Sequence, residues 1–241
     1  VNSGDNNAFE QSVGTYVDGI YRGRMNQQHI GLFDVERIEV LKGPQVALYG
    51  NSSLGGAISV VTQQPGFEFG GDVRYAHGLE YDEPQVEAAV DVPLSEQFAL
   101  RLAGIWRDQR DGLFPNDATG DSEPSRHDEA ARLSALWLPV DELSISMRHE
   151  QGRFERNGNI FDVYKHVDGQ GNPWPDSYFT GLDDGRLNIA NGAPFKYPDA
   201  FLSNDMAETR LEIQYAFEAF TLTSITGYSE YTYRQSADVD I

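Results

Sequence analysis

Residues Phe33–Pro65 read FDVERIEVLKGPQVALYGNSSLGGAISVVTQQP. Arg37-Ile38-Glu39-Val40-Leu41 alternates apolar and charged residues, the pattern of a strand with Ile38 and Val40 on one face. Gly43-Pro44 ends it, because a proline pushes the preceding residue out of the α region. Gln45 to Tyr49 has the length of a single helical turn. Gly50, Gly55 and Gly56 permit positive φ and close backbone approach, and Ala57 to Val61 is a short buried strand closed before Pro65. Gly50 and Gly55 have the spacing of a phosphate-binding loop, but Gly56-Ala57 stands where Lys-Ser/Thr is required. Without the lysine nothing reaches the β and γ phosphates, so the nucleotide reading fails. What remains is strand, turn, glycine corner, strand.

Outward from this stretch the period is two. From about residue 72 onward, Val86–Val92, Phe98–Trp106, Ala131–Trp137, Leu143–Met147 and Leu211–Phe217 each set apolar residues on one face and polar ones on the other. With a segment starting at Val73-Arg74-Tyr75 and a Thr- and Tyr-rich one from Phe220 to Tyr233, about seven strands are expected. Their connections alternate in length. Short ones lie at Pro93–Gln97, Pro139–Glu142 and Phe217–Phe220, and long ones at about 109–128 and 155–207. Long loops at one end and tight turns at the other suit an outer-membrane barrel, and the longest exceeds what a compact domain ordinarily carries. Alternation alone leaves a soluble β-sandwich equally open. Charges at mid-strand favour a wet lumen, which Arg101, Arg132 and Glu212 would face. Trp106, Trp137, Tyr228 and Tyr231 are candidates for interfacial aromatic girdles.

The 241 residues contain no cysteine, so neither disulfides nor thiolate metal sites are available. Thirty-eight acidic residues against 18 basic ones give a net charge of -20, which argues against a nucleic-acid partner. No apolar run reaches the roughly 18 residues of a membrane helix, which excludes helical spans only. VNSGDNNAFE lacks the basic and apolar regions of a signal peptide.

The opening stretch resembles the end of the plug domain of TonB-dependent outer-membrane receptors. That plug pattern is met by Glu36, Arg37, Ile38, Glu39, Val40, Leu41, Lys42, Gly43 and Pro44, then Leu48-Tyr49-Gly50, then Gly55, Gly56, Ile58, Val60, Val61, Thr62 and Pro65. Upstream, Tyr16-Val17-Asp18-Gly19-Ile20 is similar to the plug's YVDGV turn. Downstream, Phe98–Gly104 and Arg110-Asp111-Gly112 are similar to early barrel strands. Lys42 stands where arginine is commoner, Ser59 replaces an asparagine, and Gln63-Gln64 replaces a basic pair.

The resemblance implies a mainly β protein, a transmembrane antiparallel β-barrel of about 22 strands in the family with a small α/β plug. Residues 1–65 would be the C-terminal part of the plug and 66–241 the N-terminal part of the barrel, incomplete at both ends. It implies active uptake of a scarce nutrient through the outer membrane of a Gram-negative bacterium, with no chemistry on the substrate and no cofactor. A ferric siderophore is the commonest substrate; cobalamin, glycans and other organic nutrients are alternatives. The partners implied are outer-membrane lipid, a small to medium nutrient ligand such as a ferric chelate, and the TonB–ExbB–ExbD energy-coupling complex, reached through a TonB box outside these residues. Plug arginines pair with barrel glutamates in this family, which points to Arg37, with Glu36 and Lys42, as a plug–barrel charge network. Gly43, Pro44, Tyr49, Gly50, Gly55 and Gly56 shape the plug. Candidate ligand contacts are Arg22, Arg24 and Asn26 after the plug turn, and Trp174, Tyr178 and Tyr197 in the long loop, whose aromatics suit stacking.

No metal site is expected. Asp168–Asn172 lacks the glycine and glutamate of a calcium loop, His127-Asp128-Glu129 is an isolated polar cluster, and His149-Glu150 lacks a second histidine. Two rival classes remain: a soluble or surface β-rich binding protein such as an adhesin, and a glycoside hydrolase. Acids such as Asp183, Asp184, Glu208 and Glu212 are plentiful, but nothing sets two at a defined separation.

Overall fold

The computed structural model describes residues 12–23, 32–45, 49–50, 53–112, 114–115, 122–157 and 201–236. The stretch that opens the sequence argument is half of a four-stranded sheet. Its strands are β1 (Val13–Val17), β2 (Ile20–Arg22), β3 (Val35–Lys42) and β4 (Gly56–Thr62), in the order β2-β1-β4-β3. β1 and β2 form a hairpin with Val17 opposite Ile20. Its two-residue loop is Asp18-Gly19, with φ of 46° and 81°. Positive φ at both positions is what a type I′ turn requires, and Asp-Gly is among the pairs that supply it. β4 runs parallel to β1 and antiparallel to β3.

Gly43, at φ 83°, turns the chain out of β3. Tyr49 N then donates to Gln45 O at 2.9 Å, the bond of one helical turn. The Tyr16 hydroxyl donates to Tyr49 O and lies 3.1 Å from Ser53 Oγ, so the Tyr49-Gly50 corner is pinned to β1. Gly56 has φ 150°, and a Cβ there would sit 2.5 Å from Leu41 O. Gly50 has φ 81° but open space around its missing Cβ. Gly56→Ala should therefore destabilise the sheet by about 2–3 kcal/mol, and Gly50→Ala by about 1 kcal/mol, read as urea midpoints of the two variants. Equal losses would show that the Leu41 carbonyl is not the obstacle.

The second sheet has seven antiparallel strands: β5 (Gly70–Gly78), β6 (Glu83–Pro93), β7 (Phe98–Gln109), β10 (Ser125–Val140), β11 (Leu143–Asn157), β12 (Phe201–Ala216) and β13 (Thr221–Ser236). Each pairs with the next in chain order, save that β8 (Phe114–Pro115) and β9 (Ser122–Glu123) form a small ladder between β7 and β10. All seven strands expected from the alternation are present. Several are longer than their apolar core suggests, since their ends are polar on both faces. The described sheet is open, with β5 and β13 at its edges.

The alternation sorts the two faces as the pattern requires. Leu102, Leu133, Trp137, Met147, Leu211 and Ile213 point outward and are about half exposed. Phe98 to Trp106 is nine residues, about 26 Å along the strand at about 3.3 Å per residue, within the roughly 9–11 residues that a tilted strand uses to cross a bilayer. The Trp106 row also carries Glu129, Arg153 and Asp205, with Arg153 Nε 2.7 Å from Asp205 Oδ1, so the band ends there. Tyr231, a girdle candidate, faces the lumen instead, because it shares the inward phase of Met206. No helix among the described residues is long and apolar enough to cross a membrane.

Candidate functional site

The inward face of the wall is built in levels that cross the strands. One level contains Asp91, Arg101, Ser134, Arg148, Arg210 and Gly227, each opposite the next. The level above it, toward the long connections, contains Ala103, Arg132, Glu150, Glu208 and Ser229. These positions recur every second residue along each strand, as in Arg148-His149-Glu150 and Glu208-Thr209-Arg210. That spacing puts both charges of each pair on one face.

The first sheet docks on these two levels through three charged residues. Asp18, at the hairpin tip, is the most connected. Its Oδ1 accepts from Thr62 N at 2.8 Å, and its Oδ2 from Thr62 Oγ1 at 2.8 Å and Arg148 Nη1 at 2.7 Å. Its carbonyl accepts from Arg210 Nε at 2.6 Å. The same residue thus joins the hairpin, the end of β4 and the wall. Beside it Gly227 leaves room for Ile20, whose Cδ1 would lie 2.4 Å from a Cβ at that position.

Arg22 lies on β2, 3% exposed. Its Nη2 is 3.4 Å from Glu208 Oε1 and 3.7 Å from Glu150 Oε1. Burial opposes its charge, but Glu208 and Glu150 outweigh burial and hold the guanidinium above its ordinary pKa. Asp34 receives Arg101 through Nη2 at 2.6 Å and Nε at 3.0 Å. Arg132 donates to the carbonyls of Phe33 and Asp34, at 3.1 and 3.3 Å, and its guanidinium carbon lies 4.3 Å over the Phe33 ring.

Within the wall, Arg132 Nε meets Glu150 at 2.7 Å, and Arg148 and Arg210 donate to Glu208 and Glu212. Glu208 also accepts from Ser229 Oγ at 3.1 Å and the Tyr231 hydroxyl at 3.0 Å. Arg101, Arg132, Arg148 and Arg210 match Asp91, Glu150, Glu208 and Glu212 in number. A buried charge without a partner is costly, and here nearly every charge has at least two. Above this layer Phe33, Ile105, Ala130, Phe154 and Met206 form an apolar cluster with Tyr231 against it. The site is therefore a seated, charge-paired interface under an apolar lid.

Among the described residues Glu36, Arg37 and Lys42 make no ion pair with the wall strands, and the pairs to the wall are made by Asp18, Arg22 and Asp34. Arg37 is 51% exposed and bonds Glu36 at 2.6 Å and Glu39 at 2.7 Å, both on its own strand. Lys42 is exposed and has no ion pair among the described residues. The physical reason is that β3 is an edge strand of its sheet, away from β5–β13, whereas the Asp18 turn and Asp34 abut them. On the contacts among the described residues, Arg37→Ala should leave the melting temperature of the protein unchanged. A clear drop would mean that a wall carboxylate beyond these strands holds Arg37.

Arg22, read from sequence as a ligand contact, is instead buried in the plug–wall layer. Arg24, Asn26, Trp174, Tyr178 and Tyr197 lie outside the described residues, as does the Asp168–Asn172 loop. His127 and Glu129 point outward and Asp128 inward, so that triplet does not converge; His149 Nδ1 pairs with Thr209 Oγ1 at 2.8 Å. Asp34, Arg148 and Arg210 stand in no sequence motif, and Asp18 stands in the Tyr16–Ile20 motif without a charge role read from it. Opposite charges two residues apart on one strand, as at Arg148/Glu150 and Glu208/Arg210, are the signal that would have found the two arginines.

Residues 3–57 match the family model described as the TonB-dependent receptor plug domain. A ferrioxamine receptor of Yersinia enterocolitica is 28% identical over 183 residues, covering 76% of this chain and 24% of that protein. A ferrioxamine B receptor of Salmonella typhimurium is 37% identical over 100 residues, covering 38% of this chain and 14% of that protein. The crystal structure of the ferric yersiniabactin uptake receptor FyuA from Yersinia pestis superposes with a TM-score of 0.72 at 20% identity, over 93% of this chain and 32% of that one. The chain thus spans about a quarter of the length of the first of these relatives.

Proposed function

Because the chain belongs to the TonB-dependent receptors of the Gram-negative outer membrane, we propose that it serves the uptake of a ferric siderophore across that membrane. The observation that carries this reading is the charge-paired layer joining Asp18, Arg22 and Asp34 to the wall. A plug so seated closes the lumen, and a path opens only when the layer is disrupted. The proposed source of that work is the TonB–ExbB–ExbD complex, pulling on chain N-terminal to β1. No bond of the ligand is made or broken in this scheme. The choice of a ferric siderophore follows the relatives named for ferrioxamine and ferric yersiniabactin.

The test is uptake of radiolabelled substrate by a strain lacking this receptor. Ferric chelates are supplied one at a time, with cobalamin and a glycan as parallel substrates, in cells with and without TonB. The expected result is loss of uptake for one class of ferric chelate, equally in the receptor deletion and the TonB deletion. Loss confined to cobalamin or glycan would keep the transport reading and replace the substrate. Recovery of the protein from the membrane without detergent would favour a soluble or surface β-rich binding protein instead.

A further inference from the structure

Two groups of arginines occupy the inward face of the wall, and they differ in a way that assigns them different work. The lower group, Arg132 and Arg148, is 4% exposed and matched by carboxylates. The upper group lies beyond the apolar cluster, toward the end that carries the long connections. It consists of Arg107 on β7, Arg126 on β10 and Arg156 on β11. All three converge on one carboxylate, Asp128. Arg126 Nε is 2.6 Å from its Oδ2, Arg156 Nη1 2.5 Å from its Oδ1, and Arg107 Nη1 3.6 Å from its Oδ2.

Asp128 is 1% exposed, while Arg107, Arg126 and Arg156 are 18%, 27% and 29% exposed. The carboxylate is closed off and the guanidiniums are open to the lumen. Glu83 stands 3.7 Å from Arg107, and no other carboxylate pairs with Arg126 or Arg156 among the described residues. Among the described residues positive charge therefore exceeds negative charge here, in a chain whose net charge is -20. Asp128 holds the guanidiniums together against their mutual repulsion and leaves N–H donors unspent. Among the described residues Arg126 bonds through Nε alone, and Arg156 through Nη1 alone, on Asp128 and on Glu155 O at 2.7 Å. Arg107 is further fixed by Gln85, which accepts its Nε at 2.8 Å.

We infer that Arg107, Arg126 and Arg156, organised by buried Asp128, form a receiving site for an oxyanion group of the transported ligand. This inference rests on the uptake reading. The ligand class it names is a ferric chelate with net negative charge, whose carboxylate or catecholate oxygens meet the planar guanidinium forks. A neutral chelate has no counter-charge to offer the cluster.

The experiment uses the intact receptor in detergent and measures tryptophan quenching by three probes. These are ferric tris-catecholate, ferric citrate and a neutral ferric tris-hydroxamate of similar size. The wild type is expected to favour one of the two anionic probes, with binding that weakens as salt rises. The double variant Arg126→Gln/Arg156→Gln is expected to lose about 100-fold for that probe and to change about twofold or less for the neutral one. Arg126→Lys/Arg156→Lys, which keeps the charge and loses the fork, should fall between them and guards against misfolding of the glutamine variant. The anionic probe that binds separates catecholate from carboxylate recognition. Preference for the neutral chelate, or equal loss for all probes with the lysine variant included, overturns this inference and leaves uptake standing. Failure of every ferric chelate to bind overturns both.

Discussion

Glu208→Ala is expected to unseat the plug while the wall stays folded. Glu208 is fully buried and serves Arg22, Arg148, Ser229 and Tyr231 together. Its removal leaves Arg148 with Asp18 as its remaining carboxylate, and Arg22 with Glu150 at 3.7 Å. Breaking a buried pair from one side costs about 3–5 kcal/mol, because the partner charge stays buried. The backbone ladders of β11, β12 and β13 do not depend on this side chain, so the loss falls on docking. Hydrogen exchange should rise by about two to three orders of magnitude in β1 and β2 and little in β10 and β11. Unchanged exchange in the hairpin would show that the layer does not hold the plug.

Asp18→Asn should have the next largest effect, and it isolates charge from shape. Asparagine tolerates positive φ as aspartate does, so the type I′ turn survives. Both carboxylate oxygens of Asp18 accept hydrogen bonds. An amide places its NH₂ against one of those donors and withdraws the charge from Arg148. A loss of about 3 kcal/mol is expected. A cycle with Arg148→Met should give a coupling of about 1–3 kcal/mol, since the two residues are in direct contact. Additive losses would show that Thr62, not Arg148, is the partner that matters.

The wall was legible in the sequence because one physical rule writes it. A strand between lipid and water must alternate, so Phe98–Trp106 and Ala131–Trp137 announced both their existence and their faces. Strand ends were less legible, since beyond the apolar band both faces are wet and the alternation fades. The plug was legible through its punctuation: Gly43-Pro44, the Tyr49-Gly50 corner and the Gly56 crossing each reflect a backbone constraint. The charge layer was legible as a kind of interaction and not as a set of residues. Arg37 stood in the most recognisable motif, yet β3 lies at the far edge of its sheet. Arg22 carried no such motif and is buried by its place beside the wall. Which arginine meets which carboxylate depends on the register between two sheets, and no local pattern encodes that. Tyr231 shows the same limit, for an aromatic near a strand end serves a girdle or a lumen according to a one-residue phase.

The place of β1 in its sheet has a mechanical meaning. β1 is held on both sides, antiparallel to β2 and parallel to β4. Ladder hydrogen bonds run across the strands, so tension applied along β1 from its N-terminal side loads them together in shear. A strand at the edge, pulled sideways, would instead peel one bond at a time. Shear loading passes force intact through Val17 to the tip of the hairpin, where Asp18 grips Arg148, Arg210 and Thr62. Under such a load the small sheet is expected to act as a rigid lever, with the ionic latch at its far end opening before the lever unravels.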